Sequence, residues 1–352
     1  MTETERTRQD VRRGPSMGDV AMIAGVSSQT VSRVSNEKTN VDQATRERVL
    51  AAMKQVGYKP NRAARALRTG RFRSIGVIVF TLSTFGNMRT LDAITTAAAE
   101  ADHTVTVIRI PDPTTGDVSG AYRRLSEQAV DGVVIIFEAH LIDRAEITLP
   151  NDQPVVVIDS NAADNFTVVD TDQTTGAREA TEHLLDLGHQ TVWHISGPET
   201  SFSALHRAKS WAATLRDRGL TPPPVFVGDW TTDSGYRIGK EIAARGDITA
   251  VFVANDQMAL GAMNAFHEAG LQVPGDISVV GFDDMEESKA FWPPLTTVHQ
   301  DFAEVGRLCI ENLIREIETK TQTPGRTLVP TQLIVRESTA PPRLSTERTR
   351  QR

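Results

Sequence analysis

Residues 16–34 read SMGDVAMIAGVSSQTVSRV, and this stretch decides the first module. Ser16 stands three residues before Asp19, the spacing of a capping box, and Val20, Ala21, Ile23 and Ala24 follow as a short apolar face. Gly25 ends that helix. Ser27 caps the next, in which Val31 and Val34 face inward while Ser28, Gln29, Ser32 and Arg33 stay outside. Asp42 caps a third helix through Gly57, with Val49, Ala52, Met53 and Val56 at helical spacing. Two short helices joined by a glycine turn have helix-turn-helix geometry. The outer face of the second carries base-reading chemistry: Gln suits adenine, Arg suits guanine, and Ser suits either or a phosphate. A generic three-helix bundle would show the same apolar positions. The acid-free outer face, with Arg46, Arg48, Lys54 and Lys59 nearby, favours DNA.

Charge along the chain agrees with that reading. The 352 residues carry a formal net charge of −7. Residues 1–73, however, hold fifteen Lys and Arg against seven Asp and Glu, and the other 279 hold twenty-three against thirty-eight. A small cationic module on a large acidic body is expected. Hydrophobic residues make up 39% and charged residues 24%, which supports sizeable cores and excludes a disordered chain. A lone cysteine, Cys309, excludes a disulfide framework and a thiol metal cluster. No run resembles a signal peptide or an 18-residue apolar span, so a soluble protein of the cytoplasm, associated with the nucleoid, is expected.

Residues 58–70 read YKPNRAARALRTG. Pro60 and Asn61 can open a helix and the alanines favour one, but the stretch is too short to hold it in water. This cationic segment reads either as a basic linker or as a hinge that becomes helical on DNA, with Leu67 as an apolar wedge.

From Ser74 the chain alternates β-rich and helical runs. Strands are expected at Ile75–Phe80, Thr104–Ile110, Gly132–Ile136, Val155–Ile158, Thr191–Ile195, Val225–Val227, Ala250–Ala254 and Ile277–Gly281. Helices are expected near 88–101, 119–129, 173–187, 203–218, 234–245 and 256–269. Such alternation implies parallel sheets covered on both faces, and the strand count implies two doubly wound lobes of periplasmic-binding-protein type. Ligands in these sheets bind beyond the C-terminal strand ends. Asp159, Asn255 and Asp283 fall at such ends, Arg207 near a helix start, Trp230 just after a strand, and Phe302 near a crossing back toward the first lobe. Carboxylates, an amide, one arginine and aromatic rings suit a neutral polyhydroxylated ligand, although aspartates at strand ends often merely cap helices.

Several of these segments resemble the lactose-repressor (LacI/GalR-type) family. In the first module they are Asp19-Val20-Ala21, Ala24-Gly25-Val26-Ser27, Thr30-Val31-Ser32-Arg33-Val34 and Gly57-Tyr58-Lys59-Pro60-Asn61. In the second they are residues 253–263 (VANDQMALGAM), 276–284 (DISVVGFDD) and 293–297 (PPLTT). Gly228-Asp229-Trp230 and Gln300-Asp301-Phe302 look like the branch that gives the family its name. The resemblance implies that the second helix enters the major groove. It carries base reading onto Ser28, Gln29 and Arg33, further DNA contact onto Ser32, Asn61 and Arg62, and minor-groove intercalation onto Leu67. Asp159, Arg207, Trp230, Asn255, Asp283 and Phe302 fall on inducer-contacting positions. Phe80 and Phe137 stand where that branch uses small polar groups, so the sugar or its orientation differs and a galactoside is the leading guess.

The expected organisation is a disordered tail (1–15), a helix-turn-helix domain (16–59), a hinge (60–72), a sugar-binding core (73–340) and a second disordered tail (341–352). Within the core, lobe one takes about 73–171 and 300–330, and lobe two about 172–299 and 331–340. The expected function is transcriptional repression of carbohydrate-utilisation genes, released by a sugar, with no cofactor and no catalysis. The expected partners are a pseudo-palindromic operator, the sugar and a second copy of the chain, with no membrane. After Pro341-Pro342 the chain has one leucine and no heptad seam, which points to a dimer. A free-standing sugar-binding protein leaves residues 16–70 unexplained, and a sugar-processing enzyme is the other alternative. No phosphate loop, zinc-protease motif or nucleophile elbow is present. His183 and His189, six apart, read as a helix end and a turn, and Asp283-Asp284 as neighbours pointing apart. The string TERTRQ occurs at Thr4–Gln9 and again at Thr346–Gln351 and has no assigned role.

Overall fold

The computed structural model describes residues 14–36, 38, 40–59, 70–110, 115–136, 153–160 and 164–343, with 115–117 as backbone only. Contacts divide the chain into two units, one ending at Phe72 and one starting at Arg73.

In the first unit, helix α1 (Met17–Ala24) opens on a complete capping box. Asp19 N donates to Ser16 Oγ at 3.3 Å, and Ser16 N donates to an Asp19 carboxylate oxygen at 2.8 Å. Gly25 turns the chain at φ +63°, a conformation that disfavours a side chain. Helix α2 (Ser28–Ser35) starts on Ser27, whose hydroxyl accepts from Thr30 N at 3.1 Å. Helix α3 (Gln43–Val56) starts on Asp42, whose carboxylate accepts from Thr45 N at 2.9 Å. Val20, Val31, Val34, Val49, Ala52 and Met53 form the shared core. Ile23 departs from the expected apolar face and is 46% exposed. Val20, Ala21 and Ala24 already fill the inward stripe, and Ile23 falls off its edge.

The second unit holds two six-stranded sheets among the described residues. The first contains β1 (Ser74–Val79), β2 (Thr104–Arg109), β3 (Gly132–Ile136), β4 (Val155–Ile158), β5 (Thr167–Thr171) and β11 (Gly325–Val329). Their order is β11-β5-β4-β3-β1-β2, all parallel. The second contains β6 (Trp193–Ser196), β7 (Phe226–Val227), β8 (Ala250–Val253), β9 (Ser278–Asp283), β10 (Thr296–Gln300) and β12 (Thr331–Ile334). Its order is β12-β10-β9-β8-β6-β7, with only β12 antiparallel to its neighbour.

Helices cover both faces of each sheet, which is why the strands read as near-continuous apolar runs. In the first sheet, Ile75, Val77 and Val79 pack on α4 (Phe85–Glu100) and α10 (Phe302–Thr319) through Ile94, Ala98, Val305 and Cys309. Ile78, Val133 and Ile135 face the other way, toward Val118, Tyr122 and Leu125 of α5 (Thr115–Glu127). In the second sheet, α6 (Gln173–Asp186) and α7 (Phe202–Asp217) cover Phe252, Val280 and Phe282. The opposite face packs on α8 (Thr232–Arg245) and α9 (Asp256–Glu268).

The chain crosses between sheets three times: from β5 into α6, from β10 into α10, and from β11 into β12. Helices α4 and α5 begin three and four residues earlier than the periodicity implied. Strands β5, β10, β11 and β12 and helix α10 are additions to the expected set. No helix among the described residues is long and apolar enough to cross a membrane.

Candidate functional site

Helix α2 presents Ser28, Gln29 and Arg33 as exposed side chains, and it carries no acid. Ser32 is half-buried, and the Asn36 amide donates to its hydroxyl at 3.3 Å, so it faces outward only in part. Lys54 and Lys59 are exposed. Arg46 donates to the Lys38 carbonyl at 2.6 Å, which ties α3 to the turn after α2. Asn61, Arg62 and Leu67 of the hinge, Phe137, and both TERTRQ strings lie outside the described residues.

In the second unit, Asp159, Arg207, Trp230, Asn255, Asp283 and Phe302 all line one cleft. About 600 Å³ of space free of protein atoms lies between these residues, open solvent at the mouth included. Each side chain arrives from the end of a strand or the start of a helix, where two facing parallel sheets converge.

Arg207, on the first turns of α7, is 4% exposed. Its Nε donates to Gln173 Oε1 at 2.7 Å, and its Nη1 donates to the Ala254 carbonyl and lies 3.7 Å from Asp283 Oδ1. Below it the guanidinium sits 3.7 Å from the centre of the Phe282 ring. Asp283, at the end of β9, also accepts from Gln300 Nε2 at 2.6 Å. Burial pushes the Asp283 carboxyl up to about 7, against the pull of Arg207. Burial likewise lowers Arg207, opposed by Asp283 first and then by Asp159.

Asp159 follows β4, and among the described residues none donates to its carboxylate. Its backbone N–H donates to Asp170 Oδ1 at 2.6 Å. Burial raises Asp159 to about 6, with Arg207 opposing. Asp170, buried on β5, is raised to about 7 by burial and by the Asp159 charge, while Arg326 draws it down from 3.4 Å.

Trp230 and Asn255 form one assembly. Asn255 caps α9 by accepting from Met258 N at 2.9 Å, and its amide donates to the Trp230 carbonyl at 3.1 Å. The indole crosses Gly197, where an added Cβ would stand 2.3 Å from the ring. Phe302 opens α10 and meets Phe85 edge to face at 5.9 Å. Asp159, Trp230 and Asp283 have φ of +57°, +72° and +112°, backbone that side chains rarely adopt, so three of the six expected site residues are held under strain.

Asp284 points away from its neighbour, accepting from Arg336 at 2.6 Å and from His299 Nδ1 at 3.1 Å. Asp256 is spent inside the fold, accepting from Met285 N, Ser288 and Thr297. His183 bonds Thr339, and His189 contacts Thr249, Ser278 and Ala340, so both stitch the C-terminal segment down. No group of three His, Cys, Asp or Glu among the described residues could hold a metal. The cleft offers carboxyl groups, a planar cation and apolar rings.

Sequence reasoning missed Gln173, Gln300 and Asn87, which line the cleft, and Asp170, which accepts from the Asp159 backbone behind it. Uncharged amides and a mid-strand aspartate carry no signature until the sheets bring them together.

Comparison with known proteins follows the same division. A family model described as bacterial regulatory proteins, lacI family, matches residues 16–61, and one described as a periplasmic binding protein-like domain matches 181–339. The lactose operon repressor of Escherichia coli (strain K12) is 35% identical over 330 residues, 93% of this chain and 91% of that one. The HTH-type transcriptional repressor PurR of Haemophilus influenzae (strain PittEE) is 32% identical over 328 residues, 91% and 97% of the two chains. A crystal structure of the lac repressor dimer bound to operator and the anti-inducer ONPF superposes with a TM-score of 0.82 at 34% identity. It covers 93% of this chain and 100% of that one.

Proposed function

Because the chain belongs to the lacI family of bacterial regulatory proteins, and is a DNA-binding transcriptional regulator, we propose that it is a repressor released by a sugar held in the inter-lobe cleft. The observation that carries the reading is the convergence of six side chains on one cleft, half of them in strained backbone. Asp159 and Asp283 accept from sugar hydroxyls, Arg207 donates to them, and Trp230 and Phe302 cover the C–H face of the ring. The leading ligand is a galactoside or another glycoside. A planar purine base is the second reading, because Phe85, Phe302 and Trp230 together could also stack a heteroaromatic ring.

On the DNA side, Ser28, Gln29 and Arg33 read base edges, with Ser32, Asn61 and Arg62 beside them and Leu67 as the wedge. Two copies related by a two-fold axis place two headpieces on one pseudo-palindrome; the lac repressor structure is likewise a dimer bound to operator. Nucleoid association in the cytoplasm follows from that role. Lobe one (about 73–171 and 300–330) and lobe two (about 172–299 and 331–340) are the bodies that the sugar draws together. The hinge at 60–72 is what their movement loosens.

A melting-temperature screen of the full chain tests the ligand reading, using mono- and disaccharides alongside hypoxanthine and guanine. A glycoside that stabilises the parent but not Asp159→Asn supports the proposal. Stabilisation by a purine alone replaces the sugar with a base.

A further inference from the structure

Four buried side chains close a ring at the floor of the cleft. Arg207 Nε donates to Gln173 Oε1 at 2.7 Å, Gln173 Nε2 to Gln300 Oε1 at 3.3 Å, and Gln300 Nε2 to Asp283 Oδ1 at 2.6 Å. The Arg207–Asp283 ion pair at 3.7 Å completes it. All four residues line the cleft and none is more than 6% exposed. The direction of every bond is forced. Arginine only donates, so Gln173 must turn its oxygen toward Arg207 and its nitrogen toward Gln300; Gln300 then accepts through its oxygen and presents its nitrogen to Asp283.

The two amides stand at particular places in the chain. Gln173 is the first residue of α6, where the chain has just left the first sheet. Gln300 is the last residue of β10, where the chain is about to return to it. The third crossing joins through the next residue back: Asp172 N donates to the Val329 carbonyl at 2.8 Å, and Thr331 Oγ1 donates to the Asp172 carbonyl at 3.3 Å. The ring thus joins two of the charges that line the cleft, Arg207 and Asp283, to the three segments on which the lobes turn.

We propose that Gln173 and Gln300 are the positioning pair that transmits occupancy of the cleft to the inter-lobe crossings. This rests on the reading of the cleft as the effector site. A ligand that draws on Arg207 or Asp283 competes with the amide bonded to it. Because hydrogen-bonded chains polarise one another, loosening one bond weakens the next, and both crossings feel it. A pair that only fills space would leave each crossing indifferent to the other's amide.

Hydrogen–deuterium exchange of the full chain without ligand tests the ring. Gln173→Met keeps the volume and removes both bonds. It should raise exchange at least tenfold around 171–174 and also around 300–303, on the opposite crossing. Gln173→Glu keeps an acceptor for Arg207 but has no donor for Gln300. It should return the first crossing toward the parent rate and leave the second raised. If Gln173→Met fails to fold, Gln300→Met serves as the reciprocal variant and should loosen 171–174. An opposite crossing that exchanges at the parent rate in these Met variants overturns the proposal, as does a Gln173→Glu variant equal to Gln173→Met at both crossings. A second arm adds lactose and the purine bases to the parent. Crossings that ignore every one of these ligands count against the effector reading, while the ligand-free rates still judge the ring.

Discussion

Replacing Arg207 with Met should weaken the core by an amount that grows with pH. The change removes the charge-assisted bonds to Gln173 and the Ala254 carbonyl, the ion pair to Asp283 and the contact with Phe282. Asp283 already sits at about 7, up from 3.8, because it is buried. That rise corresponds to about 4 kcal/mol, the stability forfeited as pH climbs from the unfolded value through the folded one. Arg207 is what holds the folded value down, so without it the loss continues above pH 7 at about 1.4 kcal/mol per unit. Asp159, which Arg207 also lowers, adds in the same sense. At pH 5 Asp283 is largely protonated with or without Arg207. The deficit there reduces to the two lost hydrogen bonds, about 1.5–3 kcal/mol each, and the contact with Phe282. Urea unfolding of parent and variant at pH 5, 7 and 8.5 reads this out. A deficit that is flat or shrinks with rising pH would refute the electrostatic reasoning and leave Arg207 as packing alone.

Three further outcomes are expected. Gln29→Ala or Arg33→Ala should cost about 1–3 kcal/mol of discrimination between operator and random DNA; equal losses on both, measured by gel shift, would make them phosphate contacts. Leu67→Ala should reduce operator bending in a permutation assay and spare sugar binding, whereas unchanged bending would demote the hinge to a linker. Gly197→Ala places a methyl inside the Trp230 ring, so it should cost about 1–3 kcal/mol in overpacking and shift the cleft tryptophan's emission. An unmoved spectrum would mean that the indole does not depend on that gap.

The headpiece was legible because its signals are local. Ser16, Ser27 and Asp42 cap where their spacing says they should, and Val31 and Val34 turn inward with the helical period. Asp159, Asn255 and Asp283 were legible because strand ends in parallel sheets announce themselves by an aspartate or asparagine after an apolar run, whereas Arg207, Trp230 and Phe302 were legible chiefly through the family resemblance. The strands β5, β11 and β12 lack that run, because TVVDT, GRTLV and TQLI mix polar and apolar residues. Their place is decided by pairing with distant chain. The pairing of Gln173 with Gln300 was invisible for the same reason: they lie 127 positions apart, and only the crossings bring them together. Ser32 looked outward by period, yet the Asn36 side chain folds back over it.

The central claim is that a ligand in the cleft governs DNA occupancy. The most direct test is fluorescence anisotropy of a labelled duplex, selected from a random pool by the full chain, titrated with whichever glycoside raises the parent's melting temperature. The account requires the duplex to be released from the parent as the cleft fills, and to stay bound to Arg207→Met at the same sugar concentrations. A duplex that stays bound to the parent when the sugar is saturating, or one that binds more tightly, would contradict it.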